Sequence, residues 1–241
     1  MESQIGTFYG IGVGPGEPDL ITLKAAKVLA SVDVVFTASS SKNAHSLAVD
    51  IAGAHIPDTT PVIKLPFPMC TDKKVLKSAW EKNAEQIIAT LKEGKDAAFI
   101  TLGDCMTYST YGYLSRVINK LAPGTIMVAI PGITSYQAAA ARLNRPLVEG
   151  EEALLILSGV RGGTRFRELS RNAENIVFMK AYKNISDINR ALEEKGFLEN
   201  SVGVTSCGLP EERIVEDIRE FENIAPDYWT LILSKQYNRN E

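Results

Sequence analysis

Residues 8–32 constrain this chain more than any other stretch. An apolar run breaks into Gly10-Ile11-Gly12-Val13-Gly14-Pro15-Gly16-Glu17-Pro18-Asp19-Leu20 and then becomes amphipathic. A buried strand over 8–13, a glycine-rich turn and a helix over 20–32, with Leu23, Ala26, Val28 and Leu29 spaced for one face, make half of a βαβ unit. The turn looks like a dinucleotide fingerprint but departs from it at a decisive point. That fingerprint needs a third glycine in the first helical turn, packed on the strand while the helix N-terminus faces a pyrophosphate. Pro15 and Pro18 stand there instead. Each fixes φ at about −65° and removes an N–H donor, so the loop suits a ligand edge or a bend better than an anion.

The alternation continues along the chain. Strands are expected over 34–36, 62–65, 96–102 and 126–130, and helices over 47–52, 73–91 and 111–121, with a polar Ser39-Ser40-Ser41-Lys42-Asn43 loop after the second strand. After Pro131-Gly132 the texture changes to an alanine-rich helix over 136–143, whose small residues allow close backbone approach. Strands over 153–157, 175–179, 202–205 and 228–234 and helices over 164–171 and 185–195 follow, and Glu212-Arg213-Ile214-Val215-Glu216-Asp217 alternates as an edge strand would. The expectation is an α/β fold of two α/β domains, 1–132 and 133–241, with parallel pairing in the first and a mixed sheet in the second.

With 241 residues, 45% of them hydrophobic, the chain fills one large or two modest cores. A net charge of −3, a pI near 5.6 and the lack of a long basic block argue against nucleic acid as a partner, while local cations leave anionic small molecules open. Cys70, Cys105 and Cys207 form no CxxC, and His45 and His55 are not at ligand spacing, so neither a metal site nor a disulfide framework is expected. No basic-then-apolar leader and no apolar run of about 18 residues is visible, which makes the cytoplasm, without membrane contact, the default expectation.

In open α/β sheets ligands bind beyond the carboxyl ends of the strands. Three such ends carry unusual residues: Gly12 to Gly16, Gly103-Asp104-Cys105-Met106-Thr107-Tyr108-Ser109-Thr110-Tyr111-Gly112, and Pro131-Gly132-Ile133-Thr134-Ser135. Parallel strands would bring all three to one rim, where glycines let backbone groups approach a ligand and hydroxyls add donors and acceptors. Each also has a plainer reading. A glycine loop after a strand is most often a tight turn, Asp104 can be a helix N-cap, and Tyr108, Tyr111 and Tyr113 can be the buried face of the next helix.

The three loops occur in an order that resembles the tetrapyrrole methylases, S-adenosylmethionine-dependent enzymes of cobalamin and sirohaem synthesis. The likeness rests on Gly12-Val13-Gly14-Pro15-Gly16-Glu17-Pro18-Asp19-Leu20-Ile21-Thr22-Leu23-Lys24-Ala25-Ala26, on Leu102-Gly103-Asp104 and on Val128-Ala129-Ile130-Pro131-Gly132-Ile133-Thr134-Ser135. Within the family it is greatest to the precorrin-2 carbon-20 methyltransferases, through Leu65-Pro66-Phe67-Pro68-Met69, Tyr108-Ser109-Thr110-Tyr111-Gly112, Ala139-Ala140-Ala141-Arg142-Leu143 with Pro146-Leu147-Val148-Glu149-Gly150, Met179-Lys180 and Gly208-Leu209-Pro210-Glu211-Glu212-Arg213-Ile214.

The resemblance implies two α/β domains with the methyl donor in a cleft between them, a homodimer, a tetrapyrrole substrate (precorrin-2 or its cobalt form) and S-adenosylhomocysteine as a product. It places Pro15 at the cleft, Leu102, Gly103 and Asp104 on the methionine part of the donor, and Thr107 and Tyr108 along the same wall. Thr134 and Ser135 follow from the domain junction, and Lys180, Gly208 and Thr230 lie on the adenine side. Relatives that methylate uroporphyrinogen carry an acidic residue shortly after the second strand, where this chain reads Val34-Val35-Phe36-Thr37-Ala38-Ser39, so that base does not transfer. The chemistry, methyl transfer from a sulfonium to an electron-rich carbon, needs orientation and exclusion of water more than a protein-bound metal. Asp104 and Tyr108 are the expected catalytic residues, as acceptors or relays of the departing proton, with a solvent route equally open. Lys42, Arg142, Arg161, Arg165 and Lys180 are candidates for the substrate's carboxylates, the arginines through bidentate pairing from a loop over 159–165 mobile enough to close. A methylase of the same fold acting on another corrin precursor or on a protein residue, and a non-catalytic ligand-binding domain, are the alternatives.

Overall fold

A computed structural model describes residues 5–39 and 46–236. Lys42 and the polar loop beyond Ser39 lie outside the described residues. The chain divides into two compact units, Met1–Thr134 and Ser135–Glu241.

The first unit is a five-stranded sheet in the order β3-β2-β4-β1-β5, every pair parallel. Its strands are β1 (Phe8–Gly12), β2 (Val34–Ser39), β3 (Val62–Pro66), β4 (Ala97–Thr101) and β5 (Met127–Ile130). β4 is buried throughout and apolar but for Thr101, as a strand covered on both faces must be. Alternate residues serve opposite faces. Phe8, Phe36, Ala97 and Phe99 pack with helices α3 (Lys73–Lys92) and α4 (Tyr111–Leu121), whereas Ile11, Val35, Ala98 and Ile100 pack with α1 (Leu23–Leu29) and α2 (Leu47–Ala52).

The first helix is shorter than its periodicity suggests. Pro18–Leu20 forms a single 3-10 turn, and Thr22 is extended and caps α1 by accepting the N–H of Ala25 at 3.2 Å. Its buried face is Ala25 and Leu29, one helical turn apart, while Leu23, expected on that face, is 80% exposed. Asp72 caps the much longer α3 through the N–H groups of Lys74 (2.8 Å) and Val75 (3.4 Å).

The second unit is a mixed sheet in the order β6-β7-β10-β8-β9, comprising β6 (Leu154–Ser158), β7 (Asn175–Met179), β8 (Ser201–Thr205), β9 (Arg213–Val215) and β10 (Thr230–Lys235). Only β6 and β7 are parallel, and β9 is the short edge strand expected from the alternation near Ile214. The small face of α5 (Ser135–Arg142), Ala139 and Ala140, packs on Val177, Val204, Leu231 and Leu233. The opposite face carries α6 (Thr164–Leu169) and α7 (Ile185–Glu194) over Ile176, Phe178 and Ile232.

An ion network ties α6 to α7. Arg167 reaches Glu194 at 2.6 Å and Asp187 at 3.1 Å, and Asp187 also takes the Arg190 guanidinium (2.8 Å) and the N–H of Gly163 (2.8 Å). Arg190, then the Gly163 N–H, hold the Asp187 carboxyl below its ordinary value, and Arg167 does the same for Glu194. A carboxylate depressed in the folded state contributes stability that is full above the unfolded pKa, about 4, and is lost as pH falls through the folded value. Thermal melts of the Asp187→Asn variant should therefore show lower stability at pH 7 and a shallower loss than the parent below about pH 4. Parallel acid slopes in parent and variant would remove the network from the fold's stability.

Candidate functional site

β1 and β4 are neighbours, yet the helix after β1 lies against one face of the sheet and the helix after β4 against the other. The carboxyl ends of these two strands therefore form the switch point at which open parallel sheets bind ligands. Their loops are joined by backbone hydrogen bonds. The Val13 N–H donates to the Thr101 carbonyl at 3.0 Å, the Gly14 N–H to the Gly103 carbonyl at 3.1 Å, and the Gly103 N–H to the Gly14 carbonyl at 2.7 Å. The loop after β5 closes on both. A Cβ on Gly132 would lie 2.2 Å from the Gly103 oxygen and 2.7 Å from the Gly12 carbonyl carbon and oxygen. One on Gly12 would lie 2.6 Å from the Gly103 oxygen and 2.7 Å from the Gly132 nitrogen. Three loops thus meet backbone to backbone, and no residue with a side chain fits at Gly12 or Gly132.

Gly103 differs from its two partners. Its φ of +70° requires glycine-like freedom, but a Cβ there would meet nothing nearer than the Ile133 oxygen at 3.9 Å. Space beside Gly103 is therefore open, as a rim that receives a ligand requires.

Asp104 fastens the interlock. Its Oδ1 accepts the Met106 N–H at 2.9 Å and the Thr107 hydroxyl at 3.1 Å, and its Oδ2 accepts the N–H of Gly132 at 3.1 Å. Both oxygens are thus engaged by loop groups, and the carboxylate joins the β4 loop to the β5 loop. It does not cap α4, whose N-cap position is Thr110. Beneath it, the fully buried Cys105 thiol donates to the Ile130 carbonyl at 3.3 Å, a contact that the sequence did not suggest. Burial, and then the Asp104 carboxylate, push that thiol up to about 11. Burial, and then Cys105, push the Tyr111 phenol up to about 12. Both groups are neutral at pH 7 and act as packing. The Tyr111 ring lies where a Cβ on Gly10 would stand, 2.2 Å from its nearest atom, which accounts for the glycine at that position of β1.

The other expected site residues fall in two sets. In the first unit Pro15 is buried next to the Gly14–Gly103 pair, Leu102 is half-buried, Thr107 donates to Asp104, Tyr108 is exposed, and Thr134 is buried two residues beyond Gly132. In the second unit Ser135 opens α5, Lys180 and Thr230 lie at one end of the sheet, just past β7 and at the start of β10, and Gly208 follows three residues after the end of β8. There Lys180 has φ +57° and its Nζ lies 5.8 Å from the centroid of the Tyr228 ring. The Thr230 carbonyl accepts the Ala181 N–H at 2.8 Å, and the Thr230 and Thr205 hydroxyls share a 2.8 Å hydrogen bond. Gly208, at φ +76°, donates its N–H to Glu212 at 2.8 Å.

Two expected anion-binding cations have carboxylate partners. Arg142 forms a 2.6 Å ion pair with Glu212, and Arg165 pairs with Glu168 at 2.6 Å. Burial opposes ionisation of Glu212, but the Gly208 N–H and Arg142 hold its carboxyl below the usual range. The glycine-rich stretch around Arg161, expected to be mobile, is a packed turn. A Cβ on Gly163 would lie 2.3 Å from Ala191, one on Gly159 would lie 3.1 Å from Ala181, and Asn184 donates to the Val160 carbonyl at 3.1 Å. Among the described residues no group of three or more His, Cys, Asp or Glu is placed to hold a metal ion, and no helix is long and apolar enough to cross a membrane.

Comparison with known proteins agrees with this architecture. The solved structure of a cobalt precorrin-4 methyltransferase superposes with a TM-score of 0.74 at 22% identity, covering 95% of this chain and 94% of that one. A uroporphyrin-III C-methyltransferase from Thermus thermophilus, complexed with S-adenyl homocysteine, gives 0.71 at 21% identity over 95% and 92%. In sequence, the chain is 30% identical to the cobalt-precorrin-2 C(20)-methyltransferase of Salmonella typhimurium, across 98% of this chain and 99% of the relative. It is 37% identical to a Methanocaldococcus jannaschii protein named "probable cobalt-precorrin-2 C(20)-methyltransferase", across 99% and 100%. The profile of the tetrapyrrole (corrin/porphyrin) methylases matches residues 7–221, and the chain belongs to that family.

Proposed function

We propose that this protein transfers a methyl group from S-adenosylmethionine to carbon 20 of precorrin-2 or cobalt-precorrin-2. The observation that carries this reading is the near end-to-end identity of 30–37% with two chains named for that reaction. The site chemistry is consistent with it. Open space beside Gly103, walled by backbone, admits the methionine part of the donor, with Pro15, Leu102, Thr107 and Thr134 around it. The family resemblance assigns Lys180, Gly208 and Thr230 to its adenine, and Ser135 adds a hydroxyl at the start of α5.

In the reaction the carbon–sulfur bond breaks with its electrons staying on sulfur, a carbon–carbon bond forms at the macrocycle, and the proton on that carbon leaves. The macrocycle's own pyrrole nitrogens supply the electrons, so the protein's main task is to hold two molecules in register. The interlocked glycines do this by fixing the rim. Asp104 fixes the loop and supplies a negative charge near a sulfonium, and its engaged oxygens make it a positioning residue in this reading, with the proton passing to solvent. The enzyme acts in the cytoplasm and as a homodimer, and size-exclusion chromatography with light scattering checks the dimer. Incubation with S-adenosylmethionine and either metal-free or cobalt-loaded precorrin-2, followed by mass and carbon NMR of the product, should show one added methyl at carbon 20. A methyl at another carbon would move the protein to a sister reaction, and an unchanged macrocycle would end the proposal.

A further inference from the structure

The loop between β4 and α4 combines restraint with exposure. Asp104 accepts three donors within and beside it, and Ser109 Oγ accepts the N–H of Tyr111 at 3.2 Å. Within this pinned segment Tyr108 has φ +50°, a left-handed backbone that side-chain-bearing residues rarely adopt. Among the described residues four other non-glycines share this conformation, namely Asn144, Lys180, Asn184 and Ser206. Asparagine tolerates it, and Tyr108 is the one aromatic. Glycine would occupy the position without strain. Instead the chain holds a tyrosine there at 48% exposure, with Met106 two residues away at 67%.

Backbone strain of this kind persists where the surroundings enforce it and concentrates at sites where a side chain must be presented to a ligand. Here the enforcing contacts belong to the interlocked rim, and the presented groups are a large aromatic ring and a polarisable thioether. Both suit the flat face of a conjugated macrocycle, against which an aromatic ring stacks and a methionine adapts. Resting on the methyl-transfer reading, we infer that Tyr108 and Met106 form an apolar shelf for the face of the tetrapyrrole acceptor, and that the Tyr108 ring, not its hydroxyl, is the working part.

Uroporphyrin III, a flat, carboxylate-rich and fully aromatic tetrapyrrole that is not a methyl acceptor, is the probe. Its affinity is read by fluorescence titration, and S-adenosylhomocysteine affinity by calorimetry, for the parent and for Tyr108→Gly, Tyr108→Phe and Met106→Ala. Tyr108→Gly should melt higher than the parent, because the strain is relieved, yet bind the porphyrin about tenfold more weakly, the scale of one lost aromatic contact. Tyr108→Phe should keep the parent affinity, Met106→Ala should weaken porphyrin binding about threefold, and S-adenosylhomocysteine affinity should stay constant throughout. Parent-like porphyrin binding by Tyr108→Gly and Met106→Ala, or no porphyrin binding by the parent, overturns the shelf. Equal losses in Tyr108→Phe and Tyr108→Gly transfer the role to the hydroxyl, and a parallel fall in S-adenosylhomocysteine affinity transfers it to the donor. Failure of the methyl-transfer reading would show separately, as an unmethylated precorrin-2 in the product assay beside an intact porphyrin-binding pattern.

Discussion

Gly132→Ala should cost the first unit about 3 kcal/mol, the upper part of the range for overpacking, and lower its melting temperature by on the order of 10 °C. The added carbon would sit 2.2 Å from the Gly103 oxygen and 2.7 Å from the Gly12 carbonyl. These neighbours are backbone atoms of loops that are themselves hydrogen-bonded to each other, so no rotamer change relieves the clash. Only separation of the three loops does. S-adenosylhomocysteine binding should be lost with the rim. Gly124→Ala is the control for the clash: unlike Gly132, Gly124 has a positive φ, +90°, but nothing lies within 4 Å of a Cβ there, so it should cost only the left-handed penalty of about 1 kcal/mol. Circular-dichroism melts separate the two, and a Gly132→Ala protein that melts with the parent would mean that the loops are not interlocked.

Asp104→Asn should lower donor affinity and kcat/KM together, by about tenfold or more. An asparagine supplies one oxygen where three donors converge on two. If its NH2 replaces Oδ2, it faces the Gly132 N–H. If it replaces Oδ1, the Thr107 hydroxyl can turn to accept, but the Met106 N–H cannot. Either way a donor opposes a donor, and an unmet backbone N–H costs about 1–3 kcal/mol. A carboxylate that instead took the proton from the macrocycle would leave a different signature on replacement, a fall in kcat at constant S-adenosylhomocysteine affinity. Calorimetry alongside steady-state kinetics distinguishes the two.

Much of the fold was legible because strand and helix periods alternate cleanly. The all-parallel first sheet, the mixed second sheet and the edge strand at Arg213–Val215 follow from that pattern. Local capping escaped it. Thr22 and Pro18 delay α1, and Leu23, apolar but placed before the buried Ala25–Leu29 face, points to solvent. For the site, the three loops were readable as neighbours from parallel strands, but not the reason for their glycines. Gly12 and Gly132 lie far apart in sequence, and only the fold shows that each excludes the other's Cβ. Side-chain partners were equally hidden. The ion pair of Arg142 joins it to Glu212, seventy positions on, which no local pattern reveals. Asp104 looked like a free acid or a cap, and its three donors come from two loops.

That the donor lies beside Gly103 is tested most directly by titrating S-adenosylhomocysteine calorimetrically into the parent, Gly103→Val and Gly124→Val. Both glycines have positive φ and open surroundings, so both variants carry a similar backbone penalty, and melts establish that both are folded. The expected result is binding by the parent and by Gly124→Val with similar affinity, and no measurable heat from Gly103→Val. Parent-like affinity in a folded Gly103→Val would contradict it and place the donor elsewhere on the molecule.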